Sequence, residues 1–167
     1  MKKVFSLILF FCLLSCDDGD LAIETVDFDS ITTIQTCNTV SATASNLLFK
    51  INGSEALILE LPAGLLKNEI STEVIKMEIS NTTKLTYRIF SENVSDNYFC
   101  DEVPPVIPTV SEEIIAEAGD ILVTTTAIDT ETFQHQIELS GISFVTEDGS
   151  RITELQISDF GAVTTSL

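Results

Sequence analysis

The sequence has no tryptophan, and aromatic residues of all kinds make up only 7% of its 167 positions. Sugar-binding platforms are usually built from exposed aromatic faces, and Tyr87 and Tyr98 are the only tyrosines, so composition counts against a glycan platform. Positive charge is scarce: Lys and Arg total 8 against 26 Asp and Glu, giving a formal charge of −18 and a pI near 4.1. A nucleic-acid partner is excluded, since every approach to a phosphate backbone would be repelled. The same balance argues against docking on anionic lipid through a basic face. His135 is the only histidine, so a catalytic triad or most transition-metal sites would have to use it. There is no Gly-rich phosphate loop, no HExxH and no GxSxG, and nothing points to a cofactor or a metal. The apolar run Val4–Leu14 falls short of the roughly 20 residues that span a bilayer.

What the amino terminus does contain is ordered like a secretory signal. Lys2 and Lys3 form a positive region, Val4–Leu14 an apolar one, and Leu13-Leu14-Ser15-Cys16 closes it. The closing tetrad resembles the lipobox of bacterial lipoproteins. That resemblance implies removal of residues 1–15 and lipidation of Cys16, which anchors the chain on a membrane; an ordinary signal peptide with an incidental cysteine is the alternative. Loss of Lys2 and Lys3 makes the mature chain more acidic still. Asp17, Asp18 and Asp20 then form, with Gly19, an acidic tether over 16–20. The CDDGD string is similar to the surface-export signal of Bacteroidota lipoproteins, and the whole start resembles small flavobacterial surface lipoproteins. The resemblance implies a lipid-anchored, surface-exposed protein of the bacterial outer membrane. A periplasm-facing position is the alternative, and in other Gram-negative systems an Asp after the cysteine retains a lipoprotein at the inner membrane. It carries over no catalytic residue.

Beyond residue 20, apolar residues alternate with period two, the pattern of strands. The runs 47–51, 57–61, 75–79 and 85–89 all show it, and Asn52-Gly53 between the first two is a hairpin signal. A further run begins at Ile121 after a turn at Ala118-Gly119-Asp120. A last hairpin is expected to join 133–146 to 151–158 through Asp148-Gly149. Ile137 and Leu139 share one parity while Ile142 and Phe144 have the other, which predicts a β-bulge at Gly141 or a strand break there. Helix is expected only as short turns at Lys67–Ile75 and Ser111–Ala116. These features predict an all-β fold: one antiparallel β-sandwich over 21–167 with little or no helix. Pro104, Pro105 and Pro108 cannot donate to a ladder, so 101–110 reads as a stiff exposed crossing between sheets of a single domain.

Cys12 leaves with the signal and Cys16 takes lipid. Cys37 and Cys100 remain for a disulfide in an oxidising compartment, with two buried thiols as the alternative. His135 shares parity with Ile137 and Leu139, which reads as a packed or rim histidine. Asp17, Asp18, Asp20, Asp27 and Asp29 are oxygen ligands of the kind calcium takes, but no EF-hand spacing is present and solvated charge is the simpler reading. The sequons at Asn52, Asn81 and Asn93 are read as chance matches. Asp29-Ser30-Ile31 resembles the O-glycosylation signal of Bacteroidota, making Ser30 a candidate. The function expected is non-catalytic: a surface interaction module whose partner is a protein or a glycan. An accessory glycan-binding lipoprotein and, behind it, a carboxylate-dependent hydrolase are the rivals.

Overall fold

The computed structural model describes residues 25–152 and 154–167. The expected signal segment 1–15, the expected lipidation site Cys16 and the expected export residues Asp17, Asp18 and Asp20 lie outside the described residues. Strand β1 (Thr25–Asp27) is short; β2 (Asn46–Asn52) and β3 (Glu55–Leu61) form the expected hairpin. Asn52 pairs with Glu55, so the two-residue loop is Gly53-Ser54, with the positive φ that closes it, 63°, at Gly53. Both faces of the hairpin are covered. Leu48, Leu57, Leu59 and Leu61 face the main core, while Phe49, Ala56 and Ile58 join Phe90 and Val94 in a second cluster.

The rest is built around one long strand. Strand β4 (Ile75–Glu78) precedes β5 (Lys84–Phe90), helix α1 (Asn97–Cys100) follows, and then comes β6 (Val110–Ala127). After it run β7 (Thr132–Phe144), β8 (Glu154–Gln156) and β9 (Asp159–Ser166). The sheet order is β2-β3-β5-β6-β7-β9, and β4 also pairs with β6. The N-terminal part of β6 pairs with β5 and its C-terminal part with β4, while β7 runs along its other edge. Pairing register shifts between Ala116 and Asp120, where Gly119 has φ of 130°. A Cβ at Gly119 would lie 2.9 Å from the Cα of Ile142, so only glycine allows the two strands to approach there. The bend curls the sheet over one core. Leu48, Leu57, Leu85, Tyr87 and Ile114 from one half share it with Ile121, Val123, Ile137, Phe160 and Val163 from the other. The all-β antiparallel fold is as expected, with both layers of the sandwich supplied by one continuous sheet. A separate parallel pair, β1 with β8, brings Val26 and Phe28 into the core.

Several local expectations are corrected. Ser111–Ala116 is strand, not a helical turn: Ile114 and Ala116 are buried while Ile115 and Glu117 are exposed, a period of two. Lys67–Ile75 contains no helix; its backbone turns and bends, and the Ser71 N–H bonds the Thr125 carbonyl at 3.0 Å. The turn expected at Ala118–Asp120 is a bulge inside β6. The bulge at Gly141 is present: Ser140 pairs with Asp120 and Ser143 with Ala118, Gly141 has φ of 62°, and burial switches parity from Leu139 to Phe144.

The Asp148-Gly149 turn forms, with Val145 bridging Arg151, but the returning chain does not pair along β7. The edge of β7 from Thr132 to Glu138 is already taken by β9, and the bulge interrupts what remains. Residues after Ile152 therefore leave to form β8, burying Ile152 and Ile157 on the way. Finally, 101–110 does not cross between sheets. It returns the chain from β5 to β6, which are hydrogen-bonded neighbours.

Candidate functional site

The chemistry of the interior is closed. His135, on β7, is fully buried between two hydroxyls: Thr125 Oγ1 lies 2.8 Å from Nδ1 and Thr165 Oγ1 lies 2.7 Å from Nε2. Thr165 donates to the Asn68 carboxamide oxygen at 2.5 Å. Its oxygen then accepts from His135 Nε2–H, which leaves Nδ1 to accept from the Thr125 hydroxyl. Both ring nitrogens are thereby occupied, with none left for a substrate or a metal. The parity expectation of a packed histidine holds; Thr125, Thr165 and Asn68 are the partners that sequence reasoning missed.

Burial holds His135 below the usual imidazole range. The unfolded chain therefore binds a proton near pH 6.5 that the folded chain refuses. Stability should be full above about pH 6.5 and fall as pH drops through it. Thermal melts between pH 7.5 and about 5.5 should show this slope in wild type and a flatter profile in His135→Gln, which titrates nothing. Equal slopes would remove His135 as the cause.

A second interior group was not foreseen. Lys50, on the core-facing side of β2, is buried, and its Nζ donates to the carbonyls of Phe28 and Asp159, each at 2.9 Å. Burial lowers its pKa, and the carboxylates of Asp159, Asp29 and Asp27 partly offset that. Asp27 and Asp29 are themselves engaged: Asp27 accepts from the Ser30 N–H, and Asp29 from the Ser158 hydroxyl and the Asp159 N–H. Ser30 sits in an exposed turn just after β1. Among the described residues no group of three His, Cys, Asp or Glu side chains is placed to hold a metal ion.

The surface carries more than the interior. Cys37 and Cys100 are bonded, with Cα atoms 5.0 Å apart. Beside the bridge lies a groove of about 600 Å³ lined in part by Asn38, Leu47, Asn81 and Thr82, with Glu60 as its one charged side chain. It offers amide and hydroxyl groups but no aromatic face. Directly after Cys100, the segment 101–107 exposes Val103 at 81%, Val106 at 87% and Ile107 at 63%. The far end of that loop is pinned. Pro108 is buried, the Ser91 N–H bonds the Thr109 carbonyl at 2.9 Å, and the Thr109 N–H bonds Ser91 Oγ at 3.0 Å. Where the loop enters β6, a second groove of about 780 Å³ opens, lined by Val110, Glu112, Glu113, Glu147 and Asp148 with Ser and Thr hydroxyls. The Thr146 hydroxyl and the Ser150 N–H hold Asp148 below the usual carboxylate range, so it stays charged. Glu113 is paired with Arg88.

Sequence parity could place neither groove, because each is assembled from segments far apart in the chain. Val103 just before the prolines, and Val106 and Ile107 between them, were the one visible signal. No family model matches the chain, and no curated protein or solved structure matches it either.

Proposed function

We propose that this protein is a lipid-anchored, non-catalytic interaction module of the bacterial outer envelope, recognising its partner through the stapled loop at 101–110. The carrying observation is the exposure of Val103, Val106 and Ile107 on a segment fixed at both ends. Loops are normally polar at their tips, and large apolar groups held out in water mark interaction sites. The sealed hydrogen bonding of His135 supports recognition over catalysis, since the sole imidazole is buried with both ring nitrogens bonded. The glycan reading is weaker because the one ring near Asn38, Phe99, is stacked on Phe49 and the groove beyond it has none.

The anchor rests on the sequence of the first 20 residues. Cells fed an alkynyl fatty acid should tag the wild-type chain and leave Cys16→Ala untagged. The purified protein should turn over ester, glycoside and peptide substrates no faster than buffer. Labelling of the Cys16 variant would end the anchor assignment, and hydrolysis above buffer would end the non-catalytic one.

A further inference from the structure

We infer that Val103, Val106 and Ile107 act together with the acidic groove beginning at Val110 as one docking surface for a cationic, amphipathic polypeptide segment. The inference rests on the interaction-module reading and names the chemistry of its partner. Continuity is the first argument. Ile107 stands three residues before Val110, a distance that extended chain spans in at most about 10 Å. Val110 itself lines the groove, so the apolar tip and the carboxylates are reached by one short segment.

Charge is the second argument. Asp101 and Glu102 open the loop and are exposed; Glu112, Glu147 and Asp148 line the groove, and no Lys or Arg does. Arg88 is held by Glu113. A complementary partner must bring Lys or Arg to these carboxylates and apolar side chains to the loop. Exposed ion pairs alone contribute little, and three apolar side chains alone specify little, so both features belong on the same segment. Preorganisation is the third. The disulfide at Cys100, the buried Pro108 and the paired Ser91 and Thr109 fix the loop before contact, which reduces the ordering cost of binding.

The same charges argue against the other occupants. A second copy would set an acidic rim against an acidic rim. An anionic bilayer repels the surface, and insertion into a neutral one would drag Asp101 and Glu102 toward low dielectric. A metal ion is disfavoured because Asp148 is committed to its own turn and no three ligands converge among the described residues.

The test uses the full chain and defined probes, read by fluorescence anisotropy: a labelled peptide of alternating Lys and Leu, one of alternating Lys and Gly, and phosphatidylcholine vesicles. The Lys-Leu peptide should bind at least about tenfold tighter than the Lys-Gly peptide. The double substitution V106S/I107S should erase that difference, and V103S alone should reduce it. Glu112→Gln with Glu147→Gln should weaken both peptides and flatten their salt dependence. All these positions are at least partly exposed, and far-UV circular dichroism should be unchanged in each variant.

Equal affinity of wild type and V106S/I107S for the Lys-Leu peptide would overturn the inference. So would vesicle binding, or concentration-dependent self-association, that the double substitution abolishes while peptide affinity stays the same. Failure of peptide binding with no substrate turnover would remove only this inference. Turnover would remove the interaction-module reading whatever the peptides do.

Discussion

Opening the Cys37–Cys100 bridge should lower the free energy of unfolding by about 4 kcal/mol. The two cysteines are 63 residues apart in sequence, and a loop of that length, once released, gives the unfolded chain a correspondingly large gain in conformational entropy. Between β1 and β2 the chain pairs with the sheet at one isolated bridge, Gln35 with Phe49, and packs Ile31, Ile34 and Val40 on the main core. At the other end of the bond, α1 is a single turn with no fully buried residue, held by Phe99 stacking on Phe49 at 4.3 Å and by Tyr98 against Phe90 at 4.8 Å. These rings join the second core cluster, which lies on the outer side of the β2-β3 hairpin. Guanidinium unfolding of the full chain, with and without reductant, should show the lower midpoint, and C37S/C100S should reproduce it without reductant. Midpoints that coincide would show that the outer cluster holds the two segments without help.

The pairing of these cysteines could be read from the chain because the other two fall to an expected signal segment and an expected lipidation site. Much of the sheet was legible for a different reason: β-branched and apolar residues recur at period two, and a strand buried on one face writes that period into its sequence. The bulge at Gly141 was legible as a slip of parity. The same logic failed on β6. Ser111–Ala116 contains residues that suit a helix, but pairing to β5 on one side overrides local propensity, as it does generally in sheets. Gly119 looked like a turn because a glycine that breaks a strand and one that bends it carry the same letter. Only the close approach of Ile142 distinguishes them, and that contact is made across the sheet.

Parity also could not say which face of β2 turns inward, because both are covered. The row holding Leu47, Phe49 and Ile51 is the more apolar, yet it faces outward, with Phe49 and Ile51 in the second cluster and Leu47 exposed. The inward row is Leu48 and Lys50. A lysine is normally read as exposed, so nothing in the sequence marked Lys50 as buried. The network around His135 was half legible: its row placed the ring inside, but Thr125, Thr165 and Asn68 come from three other segments. The proposed docking surface was legible only as an exposed, proline-stiffened stretch. The groove beside it needs Thr146–Ser150 to fold back against the start of β6.

Replacing Lys50 with methionine should cost about 2–3 kcal/mol, the scale of buried hydrogen bonds made by a charged donor. Its Nζ ties the Phe28 carbonyl, just after β1, to the Asp159 carbonyl at the start of β9. Methionine keeps most of the stem and its burial, but it removes the ammonium donor from both carbonyls and leaves that of Phe28 with only the Ile31 N–H at 3.2 Å. Removing a buried cation also removes its desolvation cost, and in some proteins that relief exceeds the loss. Here the neighbouring carboxylates of Asp159, Asp29 and Asp27 stabilise the charge, and the ammonium lies 5.6 Å from the centre of the Phe160 ring. The relief is therefore smaller than for an isolated ion. Lys50→Ala should cost about 2 kcal/mol more than Lys50→Met, because it also empties the stem's space in the core. The damage should begin locally. Phe28 and the β1-β8 pair are held to the main sheet through this lysine, through Asn52 Nδ2, which donates to the Asp27 carbonyl at 3.1 Å, and through Asp29, which accepts from Ser158 and Asp159. Hydrogen exchange in Lys50→Met should rise first at Val26–Asp29 and at β8, ahead of β3 and β5. A methionine variant as stable as wild type, with those amides still protected, would show that β1 is held by the burial of Val26 and Phe28 and not by the buried charge.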